Sequence, residues 1–176
     1  MNVIINAARL AERAHRDQKR RDGSPYIVHP MRVAGMVTLW VAKQPLPMPM
    51  HENMIAAAWL HDVLEDTKLT DGDVHAALGG SVTDLVVELT NASKGSKEPR
   101  AVRKSMDRAK IAQASPEAKL IKMFDRIDNL KDLPEGDDFG AKYAHESLLL
   151  LDVVKDADVG VAEELREAAS RLLACP

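Results

Sequence analysis

Cysteine is almost missing: Cys175 is the only one in a chain of 176 residues. A lone thiol cannot close an internal disulfide, so the fold must hold without covalent staples, and the count suits a reducing compartment. Aromatic residues are scarce too, at 3%. The core must therefore rest on Ala, Val, Leu, Ile and Met, which suit helix-on-helix packing. No apolar run reaches the roughly 18 residues of a membrane span. The opening stretch MNVIINAARLAERAHR has neither a basic start nor a small-residue cleavage site. No signal peptide is expected, and a cytoplasmic location is. A basic surplus is also missing, since the net charge is -3. That argues against broad nucleic-acid binding, although a local basic pocket remains open.

What is present reads as helix almost throughout. At 45% apolar and 29% charged the chain falls in the soluble globular class, and its length favours one domain over residues 1–176. Ile4, Ala7, Ala8, Ala11 and Ala14 recur at helical spacing and predict a helix over 3–20. RRDGSPY breaks that pattern, and Pro30 suits the start of a second helix running to about Lys43. QPLPMPM ends it, and a helix carrying AAWLHDVL follows. Thr70 with Asp73, and Ser81 with Asp84, have the spacing of capping boxes, with Gly79 and Gly80 between them. Further helices are expected over roughly 100–113, from Ser115-Pro116 through EAKLIKMFDRIDNL, then 139–156 and 160–174. No useful length has the period-2 alternation of strands. The expected class is all-α.

Residues 57–67, AAWLHDVLEDT, carry the chemistry. On a continuous helix His61 sits above Glu65, and Asp62 above Asp66, all within about one and a half turns. The preceding MIAAAWL is apolar nearly all round, the mark of a buried helix. Either the helix ends here with Glu65 and Asp66 in water, or this much negative charge near a dry core is balanced by a cation. Two further ligands are at hand. His29, in PYIVHP, sits just before Pro30; alone it also fits a turn or core position. Asp125 lies among Ile121, Phe124, Ile127 and Leu130; it also fits an ion pair with Arg126 or a nearby Lys. Two imidazoles and two carboxylates suit Mn²⁺, Fe²⁺ or Zn²⁺ rather than a thiolate-selected metal. Such an ion makes hydroxide available near neutral pH, and Glu65 and Asp66 are placed to orient or deprotonate that water.

Three stretches carry a resemblance: AERAHRDQKRRDGSPYIVHPMRVAGMV, AAWLHDVLEDT and KLIKMFDRIDNLKDL. They resemble the hydrolase domain of RelA/SpoT-type alarmone enzymes, within the HD metal-dependent phosphohydrolase superfamily. Among these the chain looks most like the stand-alone small hydrolases, which include a metazoan homologue. The resemblance covers roughly residues 4–155. It implies one Mn²⁺ held by His29, His61, Asp62 and Asp125, and a water-activating pair, Glu65 and Asp66. It implies release of pyrophosphate from the 3′ position of (p)ppGpp. It places Arg20 against the nucleobase, Arg21 near phosphate, and Asn129 at the ribose or base. Arg20 can stack its guanidinium on a base, and Asn129 shares a helical face with Asp125.

The match has departures. Asp128 stands where the family usually has His or Tyr, Lys131 where it has Arg, and Phe124 is bulky for its place. They leave the ligands intact and open the base preference, so (p)ppApp is a second candidate substrate. Two rivals to an alarmone hydrolase stay open: an HD phosphatase acting on NADPH or a nucleoside monophosphate, and a non-catalytic nucleotide sensor. The partner expected is a small-molecule nucleotide, with no nucleic acid and no membrane; the oligomeric state is left open. The synthetase and regulatory regions of the bifunctional enzymes have no counterpart here, so an isolated hydrolase is expected. His15 is read as supporting or structural. His51, His75 and His145 are read as loop or surface residues, and Trp40 and Trp59 as core.

Overall fold

A computed structural model describes residues 2–174; Cys175 lies outside them. Among the described residues the regular structure is helical, with one isolated bridge, Lys19 to Pro25, and no strand. No helix among them is long and apolar enough to cross a membrane. Contacts divide the chain into two units, one ending at Thr90 and one starting at Asn91.

The first unit holds α1 (Val3–Ala14), α2 (Val28–Val41), α3 (Met48–Leu60), α4 (Val63–Asp66), α5 (Asp71–Leu78) and α6 (Gly80–Leu89). α3 is its centre and touches α1, α2 and α6. Met54, Ile55, Ala56, Ala57, Ala58 and Leu60 are all buried along it. The run of small alanines lets neighbouring axes come close, because interaxial distance follows side-chain size at the contact. QPLPMPM does more than end α2: Pro47 caps α3 and Pro49 lies in its first turn, where a missing N–H costs nothing.

Two expectations are corrected here. α1 stops at Ala14 rather than near residue 20. Past His15 the chain enters a hairpin in which Tyr26 N–H bonds Gln18 O and Arg20 N–H bonds Ser24 O. Gly23, at φ 86°, makes the reversal. Asp22 Oδ1 accepts from both the N–H and the hydroxyl of Ser24, at 2.9 and 2.7 Å. These local bonds compete successfully with continued helix. Ser81 is the second correction. The Thr70–Asp73 capping box is formed in both directions, whereas α6 is capped by Gly79 without any side-chain bond, and Ser81 lies inside the helix. Gly79, at φ 84°, ends α5 and starts α6 in a single residue, which moves the cap off Ser81. His51, His75 and His145 all lie on helices rather than in loops. His75 and His145 are exposed and His51 half-buried, while Trp40 and Trp59 are each only half-buried.

The second unit holds α7 (Arg100–Ala112), α8 (Pro116–Lys131), α9 (Asp138–Val154) and α10 (Val159–Leu173). α8 starts as expected, with Ser115 accepting from Ala118 N–H and Pro116 in the first turn. It is buried nearly all round and is touched by α7, α9 and α10. Arg171 of α10 donates to the carbonyls of Leu130 and Leu133, meeting groups that the end of α8 leaves unpaired. Arg100 of α7 clasps Glu146 of α9 with two bonds, Nε–Oε1 at 2.7 Å and Nη2–Oε2 at 2.8 Å.

Thr70→Ala should lower stability by about 1 kcal/mol in chemical denaturation. Ser81→Ala, at a position that caps nothing, should stay within about 0.5 kcal/mol of the parent. A second test uses Glu146. Burial raises its pKa, but the Arg100 bonds and charge outweigh that and hold it below the ordinary carboxylate value. A depressed folded pKa stabilises above the unfolded value, near ~4.3, and the gain is lost as pH falls through the folded value. The parent and Glu146→Gln should therefore differ in stability at neutral pH and converge as pH falls through the folded value.

Candidate metal centre

His29 is the second residue of α2, its N–H bonded to the Tyr26 carbonyl at 3.0 Å. His61 caps the end of α3. Its Nδ1 lies 2.8 Å from the Ala58 carbonyl. A carbonyl only accepts, so Nδ1 carries the proton, and in the neutral ring Nε2 is left as a lone pair. That Nε2 is 3.1 Å from His29 Nε2 and 3.0 Å from Asp62 Oδ2. His29 Nε2 and Asp62 Oδ2 are 3.6 Å apart. Both imidazoles are only 1% exposed.

These donors fit a divalent cation. Bonds of about 2.1 Å place neighbouring ligands of an octahedral ion about 3 Å apart. The observed separations are close to that. Burial opposes ionisation of Asp62, yet the His61 and His29 rings outweigh it and hold its pKa well below the ordinary range. The carboxylate is thus kept in the form that binds a metal.

The chain then turns. All four ionisable residues were expected on one helix; instead α3 ends at Leu60, and Glu65 and Asp66 sit on the separate four-residue α4. Asp62 has φ -104° and ψ -6°, and the Glu65 N–H reaches back only three residues, to the Asp62 carbonyl. The tightened turn still lets Asp66 N–H bond the Asp62 carbonyl, at 2.9 Å. Glu65 is half-buried and Asp66 exposed. Burial of its carboxyl and the nearby Asp62 charge raise the Asp66 pKa, against a hydrogen bond from Tyr26.

Sequence reasoning passed over two contributors. The Tyr26 hydroxyl lies 2.5 Å from Asp62 Oδ2 and 3.2 Å from Asp66 Oδ2. The Gln18 amide donates to the Asp66 carbonyl at 2.6 Å. The signal for Tyr26 was present: it precedes His29 by three residues in PYIVHP. Gln18 had none, because its role depends on the hairpin. Arg20 and Arg21 lie on that hairpin rather than at a helix end, Arg20 half-buried and Arg21 exposed.

In the second unit Asp125 is 4% exposed. Its Oδ2 is 3.0 Å from Lys122 Nζ, and its Oδ1 accepts from Asn129 at 2.6 Å. The sequence offered Arg126 or a nearby Lys as an ion-pair partner; the lysine is the one at bonding distance. Arg126 lies over the Tyr143 ring, 4.5 Å from its centroid, and its buried Nε and Nη1 have no hydrogen-bond partner. A cleft of about 450 Å³ is lined by Ala101, Lys104, Arg108, Lys142, His145, Glu146 and Leu149. Burial and the charges of Arg126 and Lys122 lower the Lys104 pKa, against Asp107 and Glu146. Cations outweigh anions around it. Of the departures, Phe124 and Asp128 are buried in α8, and Lys131 pairs with Glu164 at the surface at 2.9 Å.

The HD domain family model matches residues 7–153, running through both units. The chain belongs to the HD domain family. Within it, a human guanosine-3′,5′-bis(diphosphate) 3′-pyrophosphohydrolase is 37% identical over 139 residues, 76% of this chain and 73% of that protein. A Mycoplasma pneumoniae protein described as a probable enzyme of the same name is 30% identical over 140 residues, 74% of this chain. The match spans only 18% of that longer protein. Among solved structures, a metazoan orthologue of SpoT that hydrolyses ppGpp and plays a role in starvation responses superimposes with a TM-score of 0.81. It is 27% identical, and the match covers 96% of this chain and 94% of the other. The all-α HD fold expected from the sequence is the fold observed.

Manganese should raise the melting temperature of this HD domain protein, by the equivalent of about 2.7 kcal/mol at a concentration 100 times its Kd. A chelator should reverse the shift, and His61→Ala should abolish it. An undiminished shift in that variant would remove His61 from the ligands.

Proposed function

We propose that this chain is a metal-dependent hydrolase that removes the 3′-pyrophosphate of an alarmone nucleotide, (p)ppGpp or (p)ppApp, leaving the 5′-nucleotide and pyrophosphate. The convergence of His29, His61 and Asp62, one short turn from Glu65 and Asp66, carries this reading. The names of the human and Mycoplasma relatives support the substrate class. The two units are taken as parts of one hydrolase domain, as the continuous family match favours.

In this reading His29, His61 and Asp62 hold one divalent ion, Mn²⁺ by resemblance, with Asp125 as the fourth ligand. When bound, the ion supplies Lewis acidity toward phosphoryl oxygens and lowers the pKa of water. Glu65 and Asp66 orient the attacking water and take its proton. Arg20 stacks on the base and Arg21 meets phosphate, both carried by the hairpin. Asn129 is given to the ribose or base, and its bond to Asp125 ties that contact to the ligand carboxylate. The positive cleft of the second unit, with Lys104 and Arg108, suits a polyphosphate. A cytoplasmic setting goes with such a nucleotide.

The test offers purified protein with Mn²⁺ to (p)ppGpp, (p)ppApp, NADPH and deoxynucleoside monophosphates, and identifies the product. Pyrophosphate from an alarmone is expected. Orthophosphate from NADPH or a monophosphate would favour a phosphatase, and tight binding without turnover a sensor. Changing Glu65→Gln and Asp66→Asn together should lower turnover by about 100-fold or more and spare metal binding.

A further inference from the structure

Asp66 is held at both its ends by the hairpin that precedes α2. Its backbone carbonyl is a terminal carbonyl of α4, left unpaired by so short a helix. Gln18 Nε2 donates to it at 2.6 Å. That contact fixes the orientation of the Gln18 amide, because only its nitrogen can donate to a carbonyl. The amide oxygen then faces His15 Nδ1 at 2.8 Å, so Nδ1 is the donor there. His15 is buried, 1% exposed, and its other nitrogen has no hydrogen-bond partner. The imidazole is thus committed to one task, orienting Gln18. At the other end, the Tyr26 hydroxyl sits between Asp66 Oδ2 and Asp62 Oδ2. Its ring packs on His15, with centroids 4.7 Å apart, and its N–H bonds the Gln18 carbonyl at 3.0 Å.

A four-residue helix cannot hold its own conformation in water, so the direction of the Asp66 carboxylate must be set from outside α4. We propose that Gln18, oriented by His15, and Tyr26 are positioning residues that hold Asp66 toward Asp62 for its part in activating water. The proposal rests on the hydrolase reading and adds three residues to it. None of the three touches substrate. The same hairpin carries Arg20 and Arg21, so the nucleotide contacts proposed above and the Asp66 carboxylate share one frame.

The experiment uses the full chain with Gln18→Leu and Tyr26→Phe, the second keeping its ring packing should the first fold poorly. Each variant should lose about 10- to 100-fold in kcat, the scale of a misplaced catalytic group, with KM changed less than about threefold. For Gln18→Leu, which touches no proposed ligand, manganese affinity by calorimetry and the melting temperature should stay near the parent's. Crystal structures of both should show the Asp66 carboxylate turned away from Asp62. If kcat stays within about twofold of the parent, or falls only in step with melting temperature and manganese affinity, the positioning role is overturned and the hydrolase reading stands. If the parent itself turns over no alarmone, the hydrolase reading fails. The crystal structures then decide the inference: an unmoved Asp66 overturns it, and a turned one upholds it.

Discussion

Everything at the candidate centre depends on the Ala58 carbonyl accepting a hydrogen bond from His61 Nδ1. One backbone acceptor fixes which imidazole nitrogen keeps its proton, and therefore which nitrogen presents a lone pair to His29 and Asp62. The ring cannot rotate to escape, because it is buried at the end of a helix packed against three others. Two buried imidazoles and a carboxylate held this close are a mixed nitrogen and oxygen donor set that suits a divalent cation. The alanine run of α3 serves the same end, letting α1, α2 and α6 close round the site without large side chains entering it.

The sequence made the helical character, most helix bounds in the second half and the polar end of α3 legible, because these follow from apolar periodicity and from local caps such as Ser115 and Thr70. His29, His61 and Asp62 were legible as a group because their residue types are costly to bury. The misses share a cause. Where α1 ends, where α3 breaks and what caps α6 are each decided by bonds between side chain and backbone, or by one glycine, that periodicity does not register. Gln18 and Tyr26 escaped notice for the same reason. They matter through a hairpin that the pattern had assigned to helix.

Within the second unit buried charges of the two signs are met differently. Asp125 is buried in α8 but is met by Lys122 and Asn129, so its charge is compensated locally. Arg126 is not so placed. Its guanidinium faces an aromatic ring, and two of its nitrogens have no hydrogen-bond partner. A stacked arginine keeps its charge while leaving its donors uncommitted. Lys104 is pushed toward its neutral form first by burial and then by the charges of Arg126 and Lys122, against Asp107 and Glu146. In the proposed reading a polyphosphate in the cleft would meet Lys104 and Arg108 there.

The brevity of α4 follows from the same demands. A long helix after α3 would fix Glu65 and Asp66 rigidly, but it would keep them in register with His61 and Asp62 and aim all four at one face. Breaking the helix at Asp62 puts the later carboxylates on a separate short helix, which in the proposed hydrolase would suit a water attacking phosphorus from the side opposite its leaving group. The cost is a segment that cannot hold itself. The hairpin supplies the missing restraint with one amide and one hydroxyl, both uncharged. A lysine or arginine in their place would neutralise the very carboxylate it was meant to aim, whereas a neutral donor leaves Asp66 able to accept a proton.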